Sequence, residues 1–480
     1  MPDNFSSDPA TLPEADAPAS SSLMTKESAG LVVLWAPGEP ELLGAWLLVA
    51  GEPKILGRGG AASTDPHPRV LPIRQSPGIN VPLAAFASPQ LSRVQLELCQ
   101  VDGALKIKNL GRCKLWVNEL PCEEAVVQPG DLVQVGNQLL LLCSSRTARL
   151  TGLGSSKQAF GEPDEHGFVG ESPAMWLLRQ ELDFVGTRPG HVLIHGESGT
   201  GKELAANAVH RVSLRQGPLV SRNAATFPDT LIDAELFGCA KGFPNPGMPE
   251  RAGLIGAAHG GTLFLDEFAE LPLAQQTRLL RVLDAGEYQR LGESTLQRSD
   301  VRVVAATNRA LSELRQDVAA RFSFLVRTPS LATRVEDIPL IVRHLLKQVA
   351  RDDAELRARF FQADGEARLS VSLLMGLVRG SSVGNVRHLR NTLWRSLAES
   401  KSDTLGWPSS ASNHADSESL EAAPPSDGTS TPSERERIRQ VLDRNQGSVD
   451  KTWRELGLSS RFALNRLLKK HGISLRRSST

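Results

Sequence analysis

The chain has 480 residues, of which 40% are hydrophobic and 22% charged, a balance typical of soluble globular proteins with about two to four domains. Its 54 basic and 54 acidic residues cancel, so the net charge of the whole chain gives no hint of a nucleic-acid partner. The charge of each segment has to be compared instead. No apolar run reaches the roughly 18 residues that a membrane span requires, and the N-terminus lacks the pattern of a secretory signal, so a cytoplasmic protein without a membrane partner is expected.

The N-terminal third shows the pattern of a β-sandwich. Residues 1–28 are rich in Ser, Pro, Ala and Asp, which predicts a disordered tail. Over residues 29–144, short apolar runs recur about every ten residues between Gly and Pro, as in LVVLWAP, AWLLVAG, VQLELCQV, ALKIKNL and LVQVGNQLLLLC. Residues 145–165 contain Gly and Ser and are expected to be a linker.

Motifs in residues 29–144 resemble those of forkhead-associated (FHA) domains. Gly57-Arg58 matches the first signature and Ser92-Arg93 the second, and residues 129–136, PGDLVQVG, match the final hairpin. The resemblance implies that Arg58, Ser92 and Arg93 bind a phosphothreonine on a partner protein. The chemistry is suitable, because arginine makes charge-assisted, bidentate hydrogen bonds to phosphate.

This resemblance has departures. Gln95 stands where the family has a histidine, and the family's peptide-binding Asn-Gly falls near Cys113 and Lys114. An insertion rich in Pro and Ala also separates the first two signatures. The alternative is therefore a sandwich used only for packing or for dimer formation.

Residues 166–400 show the pattern of a parallel sheet covered by helices. The runs HVLIHG, GTLFLDE and VRVVAATN are apolar and end in polar residues, whereas LAQQTRLLRVLDAG has helical periodicity. The predicted fold is multidomain, with a β-sandwich, then an α/β domain built on a parallel sheet, then an all-α segment.

The strongest motif in this region is a glycine-rich loop, Gly196-Glu-Ser-Gly-Thr-Gly-Lys202, which fits GxxxxGK between the strand HVLIH and the helix ELAANAVH. Its backbone N–H groups and the helix N-terminus suit phosphates, and Lys202 can reach the outer ones. Glu203 replaces the usual Ser or Thr, so a magnesium ion would depend more on other ligands. The predicted ATP-binding residues are Gly196, Glu197, Ser198, Gly199, Thr200, Gly201, Lys202 and Glu203.

Two carboxylates end the strand GTLFLDE. Asp266 follows Lys202 by 64 residues, and Glu267 comes next. Ligands bind at the carboxyl ends of the strands in open α/β sheets. Asp266 is therefore predicted to hold Mg²⁺, directly or through water, and Glu267 to polarise the attacking water.

Six motifs make the resemblance to a family specific. GESGTGKE, NAATFPDTLIDAELFG, GGTLFLDE, VAATNRAL, RVEDIP and VGNVRHLRN occur in this order over about residues 166–400. They resemble the AAA+ core of sigma-54-dependent activators, also called bacterial enhancer-binding proteins. The resemblance implies an α/β P-loop ATPase fold with a helical lid, ATP hydrolysis, a sigma-54 RNA polymerase partner and a homo-oligomer, usually a hexameric ring. It assigns Asn223 as the switch of the catalytic glutamate, Asn308 as sensor I, Arg315 and Arg321 as arginines that reach the neighbouring subunit's nucleotide, and Arg387 as sensor II.

One loop departs from this family. Where the family reads GAFTGA, which contacts sigma-54, residues 239–249 read CAKGFPNPGMP. Gly242 and Phe243 remain, but Pro244, Pro246 and Pro249 are new and should stiffen the loop. Either the loop still contacts sigma-54 through Phe243, or the protein regulates transcription without sigma-54.

The C-terminus differs in charge from the rest. Residues 401–432 are of low complexity and are expected to be a disordered linker. Residues 433–480 contain twelve Lys and Arg against five Asp and Glu, a local charge of +7. Three helical runs with Gly breaks there resemble the Fis-type helix-turn-helix, and the alternative is a basic helical hairpin that packs on the ATPase. The predicted DNA contacts are Ser460, Arg461, Ala463, Asn465, Arg466, Lys469 and Lys470.

These patterns together predict an ATP-dependent, sequence-specific DNA-binding activator of sigma-54 polymerase under phosphopeptide control. The alternatives are a DNA-binding regulator or repressor that does not act through sigma-54, and an AAA+ remodeller unrelated to transcription.

Overall fold

A computed structural model describes residues 27–60, 65–150, 159–228, 230–380 and 384–408, with the short stretches 441–442, 444–445, 452–453 and 455–456. These residues form two compact units. The first comprises residues up to 195, 201–329 and 336–344; the second comprises 196–200, 330–335 and the residues from 345 onward. No helix in the described ranges has the length and apolar character needed to cross a membrane.

The N-terminal part of the first unit is a two-sheet β-sandwich. One sheet has the strand order β5-β4-β2-β1-β12-β11-β8-β9 and the other β10-β7-β6-β3, and all the pairs are antiparallel. Leucine, valine and isoleucine side chains from both sheets form one buried core between them. The strands are β1 (Glu27–Trp35), β2 (Trp46–Leu48), β3 (Lys54–Leu56), β4 (Ile73–Ser76), β5 (Ile79–Pro82), β6 (Leu96–Val101), β7 (Ala104–Asn109), β8 (Leu115–Val117), β9 (Leu120–Cys122), β10 (Glu124–Val127), β11 (Leu132–Val135) and β12 (Leu139–Thr147).

The rest of the first unit is built on a five-stranded parallel sheet of order β14-β15-β18-β13-β19. Its strands are β13 (His191–His195), β14 (Leu219–Asn223), β15 (Thr262–Asp266), β18 (Arg302–Thr307) and β19 (Phe322–Arg327), and β16 (Glu287–Tyr288) pairs with β17 (Gln297–Arg298) in a separate hairpin. The helices are α1 (Pro173–Gly186), α2 (Lys202–Val212), α3 (Ile232–Phe237), α4 (Gly253–Ala257), α5 (Leu273–Ala285), α6 (Gln316–Ala319) and α7 (Ile338–Asp352), which continues into the second unit.

The central strands are apolar on both faces because each face packs on a different core. In β13, Val192 and Ile194 belong to one core, whereas Leu193 between them belongs to the other. Phe264 of β15 likewise lies opposite Leu263 and Leu265. This is the burial expected of a parallel sheet covered on both sides, and it explains the unbroken apolar runs.

Helices dominate the second unit: α8 (Ala354–Phe360), α9 (Val371–Arg379) and α10 (Asn385–Glu399). Residues 401–408, which the sequence assigns to a linker, pack on this unit. Leu405 is fully buried and its carbonyl accepts a hydrogen bond from Ser370 N at 3.0 Å, while the Trp407 ring covers Gly376. The low-complexity composition of 401–432 concealed these two apolar anchors.

A buried carboxyl lies beside α1 in the first unit. Glu171 Oε1 accepts a hydrogen bond from Gly161 N at 2.7 Å, and the side chain is almost fully enclosed. Burial raises the pKa of Glu171 to about 7, and the charge of Asp337 acts in the same direction.

The raised pKa of Glu171 predicts a pH-dependent stability. The folded chain holds this proton more tightly than the unfolded chain, so the contribution to the free energy of unfolding is largest below about pH 4.5 and is lost as pH rises to about 7. We expect Glu171→Gln, whose carbonyl still accepts from Gly161, to become more stable than the wild type between pH 5 and pH 8, by up to about 3 kcal/mol. Thermal melts of both proteins at each pH measure this difference. A difference that stays constant with pH would contradict the prediction.

Candidate functional site

Polar side chains meet where the parallel strands end. Asn223, the last residue of β14, is the register partner of Asp266, the last residue of β15. Thr307 ends β18 beside His195, which ends β13, and Asn308 follows Thr307. The sheet thus brings three of the predicted residues, Asn223, Asp266 and Asn308, to one edge.

The Asp-Glu pair has a defined geometry at this edge. Glu267 adopts a left-handed backbone conformation with φ of +50°, and its N–H donates to Asp266 Oδ1 at 3.0 Å. The chain therefore turns sharply after the strand into the short 3-10 turn Phe268–Glu270. Both carboxylates are half-buried, which leaves them accessible to a ligand.

Lys202 lies at the first position of α2 and is only 7% exposed. Gly201 before it has φ of +101°, and a Cβ there would lie 3.1 Å from the Phe168 ring. Only glycine meets both conditions without strain, so the glycine before the lysine is a backbone requirement of this turn. Glu203, on the next position of the helix, is exposed to solvent.

In the second unit, the loop 196–200 is held by the start of α10. Asn385 Nδ2 donates to Glu197 Oε2 at 2.8 Å and to Ser198 O at 3.1 Å. Arg387 Nη1 donates to Ser198 Oγ at 2.9 Å. Gly199 has φ of +79°, and a Cβ there would lie 3.2 Å from the Arg387 backbone. Thr200 Oγ1 donates to Glu197 O at 2.9 Å, which closes the loop on itself.

Sequence reasoning named Arg387 here but missed Asn385. Asn385 is 3% exposed and has φ of +52°, and its Oδ1 accepts from Leu331 N at 2.7 Å. One amide side chain therefore ties the loop 196–200 to the segment 330–335. The signal available in the sequence was the Gly384-Asn pair, because asparagine is among the few residues besides glycine that are enriched at positive φ.

The two arginines assigned to a neighbouring subunit's nucleotide are paired within their own subunit. Arg315 forms a two-bond ion pair with Asp317, with a shortest distance of 2.6 Å, and Arg321 Nε lies 2.9 Å from Asp284 Oδ1. Both pairs are at the surface. The hydrogen bonds to Asp317 raise the pKa of Arg315 and lower that of Asp317, so both groups are charged at neutral pH.

The loop with the added prolines is folded back on itself. Cys239 and Arg251 exchange two backbone hydrogen bonds of 3.0 Å, and Gly242 N donates to Met248 O at 2.9 Å. Phe243 is 37% exposed. These backbone hydrogen bonds therefore close the loop on itself.

This loop is also attached to the β16–β17 hairpin. Ala240 N donates to Leu291 O at 2.9 Å, and Arg290 pairs with Glu250. The Phe243 ring lies against Gly292, where a Cβ would approach it to 2.6 Å. A side chain at position 292 would displace Phe243, so the contact depends on that glycine.

In the sandwich, three loops meet around Ser92. Arg58 N donates to Ser92 O at 3.0 Å, and Arg112 N donates to Ser92 Oγ at 2.9 Å. Gly57 is so close to the Arg93 carbonyl that a Cβ there would lie 2.0 Å from its oxygen. The structure thus places Arg58, Ser92 and Arg93 together, and it adds Arg112, which the sequence did not single out.

Gln95 joins these loops. It is fully buried, and its Nε2 donates to Asn109 Oδ1 at 2.8 Å and to Cys113 O at 3.0 Å. Its Oε1 accepts from Ser92 N at 3.3 Å and Cys113 N at 3.4 Å. The glutamine is therefore the structural centre of the three loops.

We expect Gln95→Ala to lower the free energy of unfolding by about 2–3 kcal/mol, because it removes four side-chain hydrogen bonds and leaves the partly buried N–H groups of Ser92 and Cys113 without this acceptor. Gln134→Ala is the matched control, since that side chain makes one hydrogen bond, to Gly136 O at 3.0 Å, from a half-buried position. Thermal unfolding of the full chain measures both. Equal melting temperatures for the two variants would refute the role given to Gln95.

The predicted DNA contacts cannot be placed in the same way. Ser460, Arg461, Ala463, Asn465, Arg466, Lys469 and Lys470 lie outside the described residues.

The fold and the strand-end residues define a P-loop protein of the α/β class. Residues 168–331 match the family model of the sigma-54 interaction domain. The chain therefore contains a sigma-54 interaction domain, which is an AAA+ domain.

Known regulators are similar to the chain over part of its length. The anaerobic nitric oxide reductase transcription regulator NorR of Aeromonas hydrophila is 39% identical over 264 residues, 52% of this chain and 50% of the relative. The DNA-binding transcriptional regulator NtrC of Azospirillum brasilense is 40% identical over 255 residues, 51% of each. The chain thus spans about half the length of these relatives. A crystal structure of NtrX from Brucella abortus in complex with ADP is 31% identical, with a TM-score of 0.45, over 64% of this chain and 70% of that one.

Proposed function

We propose that the protein is an ATP-hydrolysing, DNA-binding transcription activator that acts on sigma-54 RNA polymerase in the cytoplasm. The observation that carries this proposal is the placement of Asn223, Asp266 and Glu267 at adjacent strand ends of a sigma-54 interaction domain. Two similar proteins are transcription regulators by name, which supports the same role.

The residues fit a magnesium nucleotide. A carboxylate at a strand end is a hard oxygen ligand of the kind that Mg²⁺ prefers, so Asp266 would hold the ion. Lys202 would bind the outer phosphates, with the backbone of residues 196–203 around them. Hydrolysis of a phosphoanhydride bond of ATP would drive the activation of sigma-54 RNA polymerase. Glu267 accepts a proton from the attacking water, and Asn223 positions Glu267 while Asn308 binds beside the outer phosphate.

We propose that the active form is a homo-oligomeric ring, hexameric as in the resembled family. Arg315 and Arg321 would then leave their own carboxylates and reach the nucleotide of the next subunit, while Arg387 acts within its own subunit. Solvent-exposed ion pairs contribute little to stability, so Asp317 and Asp284 hold these arginines weakly. An arginine supplied in trans makes turnover per subunit rise with protein concentration.

Residues 433–480 supply the DNA-binding part of the proposal, as a Fis-type helix-turn-helix that places the ring at a promoter-upstream site. Arg461, Asn465 and Arg466 would read base edges, and Lys469 and Lys470 would contact phosphates. A footprint with sequence preference supports this, and protection that shows no sequence preference and fades with salt opposes it.

The sandwich would sense a phosphothreonine on a partner protein. The support is that Arg58 and Arg93 lie beside Ser92, whose hydroxyl accepts a hydrogen bond from Arg112 N and can itself donate to a phosphate oxygen. A phosphothreonine peptide should bind the full chain, whereas its unphosphorylated twin and the Arg58→Ala variant with the phosphopeptide should not. Equal binding of both peptides would leave the sandwich a packing or dimer-forming domain.

The proposed function as a whole is tested by ATP turnover and by sigma-54 capture in the same preparation. We expect ATP turnover per subunit to rise with protein concentration. We also expect the immobilised protein to retain purified sigma-54 only when nucleotide is present. Hydrolysis without any retention of sigma-54 would exclude the sigma-54 partner.

One observation favours a second function, regulation of transcription without sigma-54. The loop 239–251 is closed by its own hydrogen bonds and attached to the β16–β17 hairpin through Phe243 and Gly292. With Pro244, Pro246 and Pro249 in it, the loop is less able to extend toward a partner. Gly292→Val, which displaces Phe243, would then leave DNA binding and repression unchanged, whereas a sigma-54 activator should respond to it.

A further inference from the structure

The β-sandwich and the ATPase part of the first unit are joined by a buried ion pair. The side chain of Arg146, near the end of β12, is only 2% exposed, and its Nη2 lies 2.7 Å from Glu336 Oε1, whose side chain is 8% exposed. The guanidinium also lies 5.2 Å from the centre of the Trp46 ring of β2. Charges this deeply buried are costly to separate, so the pair fixes Glu336 to the sandwich.

An apolar contact next to it joins the same two parts. Leu340 of α7 is 1% exposed, and its side chain fills the space beside Gly44 of the sandwich and Gly161 of the connecting segment. A Cβ on Gly44 would come to 3.1 Å from it, and one on Gly161 to 2.9 Å. The sandwich is therefore attached to residues 336–340 by both charge and shape.

Residues 336 and 337 also organise the start of the ATPase part. Asp337 Oδ1 accepts from Glu171 N at 2.7 Å and Ser172 N at 2.9 Å, and its Oδ2 accepts from Ser172 Oγ at 2.6 Å. Both acidic residues belong to one short 3-10 turn, Val335–Asp337. A displacement of Glu336 would therefore act on this turn, because Asp337 in the same turn is held by hydrogen bonds from Glu171 and Ser172.

The same turn continues the chain from the segment 330–335. In that segment Leu331 N donates to Asn385 Oδ1, and the amide nitrogen of Asn385 donates to Glu197 and Ser198 of the glycine-rich loop. From Arg146 to the loop, each step is a buried or partly buried contact or the backbone itself. A continuous series of contacts can couple two sites energetically when events at both sites shift the equilibrium between its conformations.

We infer that Arg146 is a positioning residue for the nucleotide: through Glu336, the segment 330–335 and Asn385 it sets the shape of the glycine-rich loop, so that the state of the sandwich changes the affinity for ATP. The inference rests on the proposed ATP binding and adds its regulation. By linkage, ATP then changes the affinity of the sandwich for its ligand by the same factor.

The test is a double-mutant cycle on the dissociation constant of a fluorescent ATP analogue, measured on the full chain. Arg146→Gln and Glu336→Gln should each weaken binding by roughly fivefold or more, and the double variant should bind like either single one, because both act on one series of contacts. Arg146→Lys keeps the charge and should restore most of the affinity. Thermal melts of each variant separate a loss of fold from a loss of affinity.

The exposed ion pair Lys106–Glu124, at 2.7 Å within the sandwich, provides the matched control, and Lys106→Gln with Glu124→Gln should leave the dissociation constant unchanged. Folded Arg146 and Glu336 variants that bind with wild-type affinity would overturn the inference, as would effects that simply add. A wild type that binds no nucleotide would instead overturn the proposed function. If the variants show the expected double-mutant cycle in binding but the protein does not hydrolyse ATP, the inference is supported and only the proposed hydrolysis is excluded.

Discussion

Glu267→Gln should lower ATP turnover by about 10²–10⁴-fold and leave nucleotide binding nearly intact. Glutamine has almost the same shape, and the backbone N–H that donates to Asp266 Oδ1 at 3.0 Å remains, so the turn after β15 is kept. What is lost is the carboxylate that accepts the proton from water. Steady-state phosphate release and analogue binding, measured on the same preparation, separate the two effects.

The matched control is Glu270→Gln, in the same 3-10 turn. Glu270 is exposed and pairs with Arg309, so its substitution changes a charge close by without touching the strand end. We expect turnover near that of the wild type. If Glu267→Gln hydrolysed ATP as fast as Glu270→Gln, the role proposed for the strand-end glutamate would be wrong.

Arg302→Met should have the largest effect on stability, a loss of about 3–5 kcal/mol, because three backbone carbonyls lose their donor at once. Arg302 is 5% exposed, and its guanidinium donates 2.9 Å hydrogen bonds to the carbonyls of Val185 and Gly186 at the end of α1 and of Gly190 just before β13. Burial lowers the pKa of Arg302 to about 10, so it stays charged at neutral pH. Methionine fills part of the volume but leaves all of these carbonyls without their donor.

This loss corresponds to a melting temperature lower by about 10 °C for a domain of this size. Arg298→Met is the control, because Arg298 is exposed and makes one hydrogen bond of 3.3 Å, to Ala285 O. Thermal unfolding followed by circular dichroism measures both variants. A melting temperature for Arg302→Met equal to that of Arg298→Met would show that the buried guanidinium contributes little.

Local patterns carried much of the fold and part of the site. The apolar runs around Val192 and Phe264 predicted central strands because both faces of a parallel sheet are buried. The chemistry of Asp266 and Glu267 could be predicted because polar residues at strand ends meet at one edge. Their neighbour Asn223 was assigned by resemblance, and the strand register explains its proximity to Asp266.

Contacts between distant parts of the chain were not predictable in this way. Asn385 lies 188 residues from Glu197, and no periodicity connects them. Gln95 was visible only as a departure from a motif, whereas its four side-chain hydrogen bonds, to Ser92, Asn109 and Cys113, became apparent from the structure. The Arg146–Glu336 pair depends on how two domains pack, which neither domain's own pattern encodes.

The attachment of the loop 239–251 to the β16–β17 hairpin is the feature that most affects the proposed function. The sequence showed the prolines but not the contact of Phe243 with Gly292. This contact is the reason that the partner of the loop has to be measured directly.

The most direct test is open-complex formation by purified sigma-54 RNA polymerase on a promoter that carries this protein's own binding site. Wild-type protein, Glu267→Gln and Lys202→Ala are compared with and without ATP. The proposed function predicts ATP-dependent promoter opening by the wild type and none by either variant. No opening by a wild type that binds the DNA and hydrolyses ATP would contradict it, and would favour regulation without sigma-54.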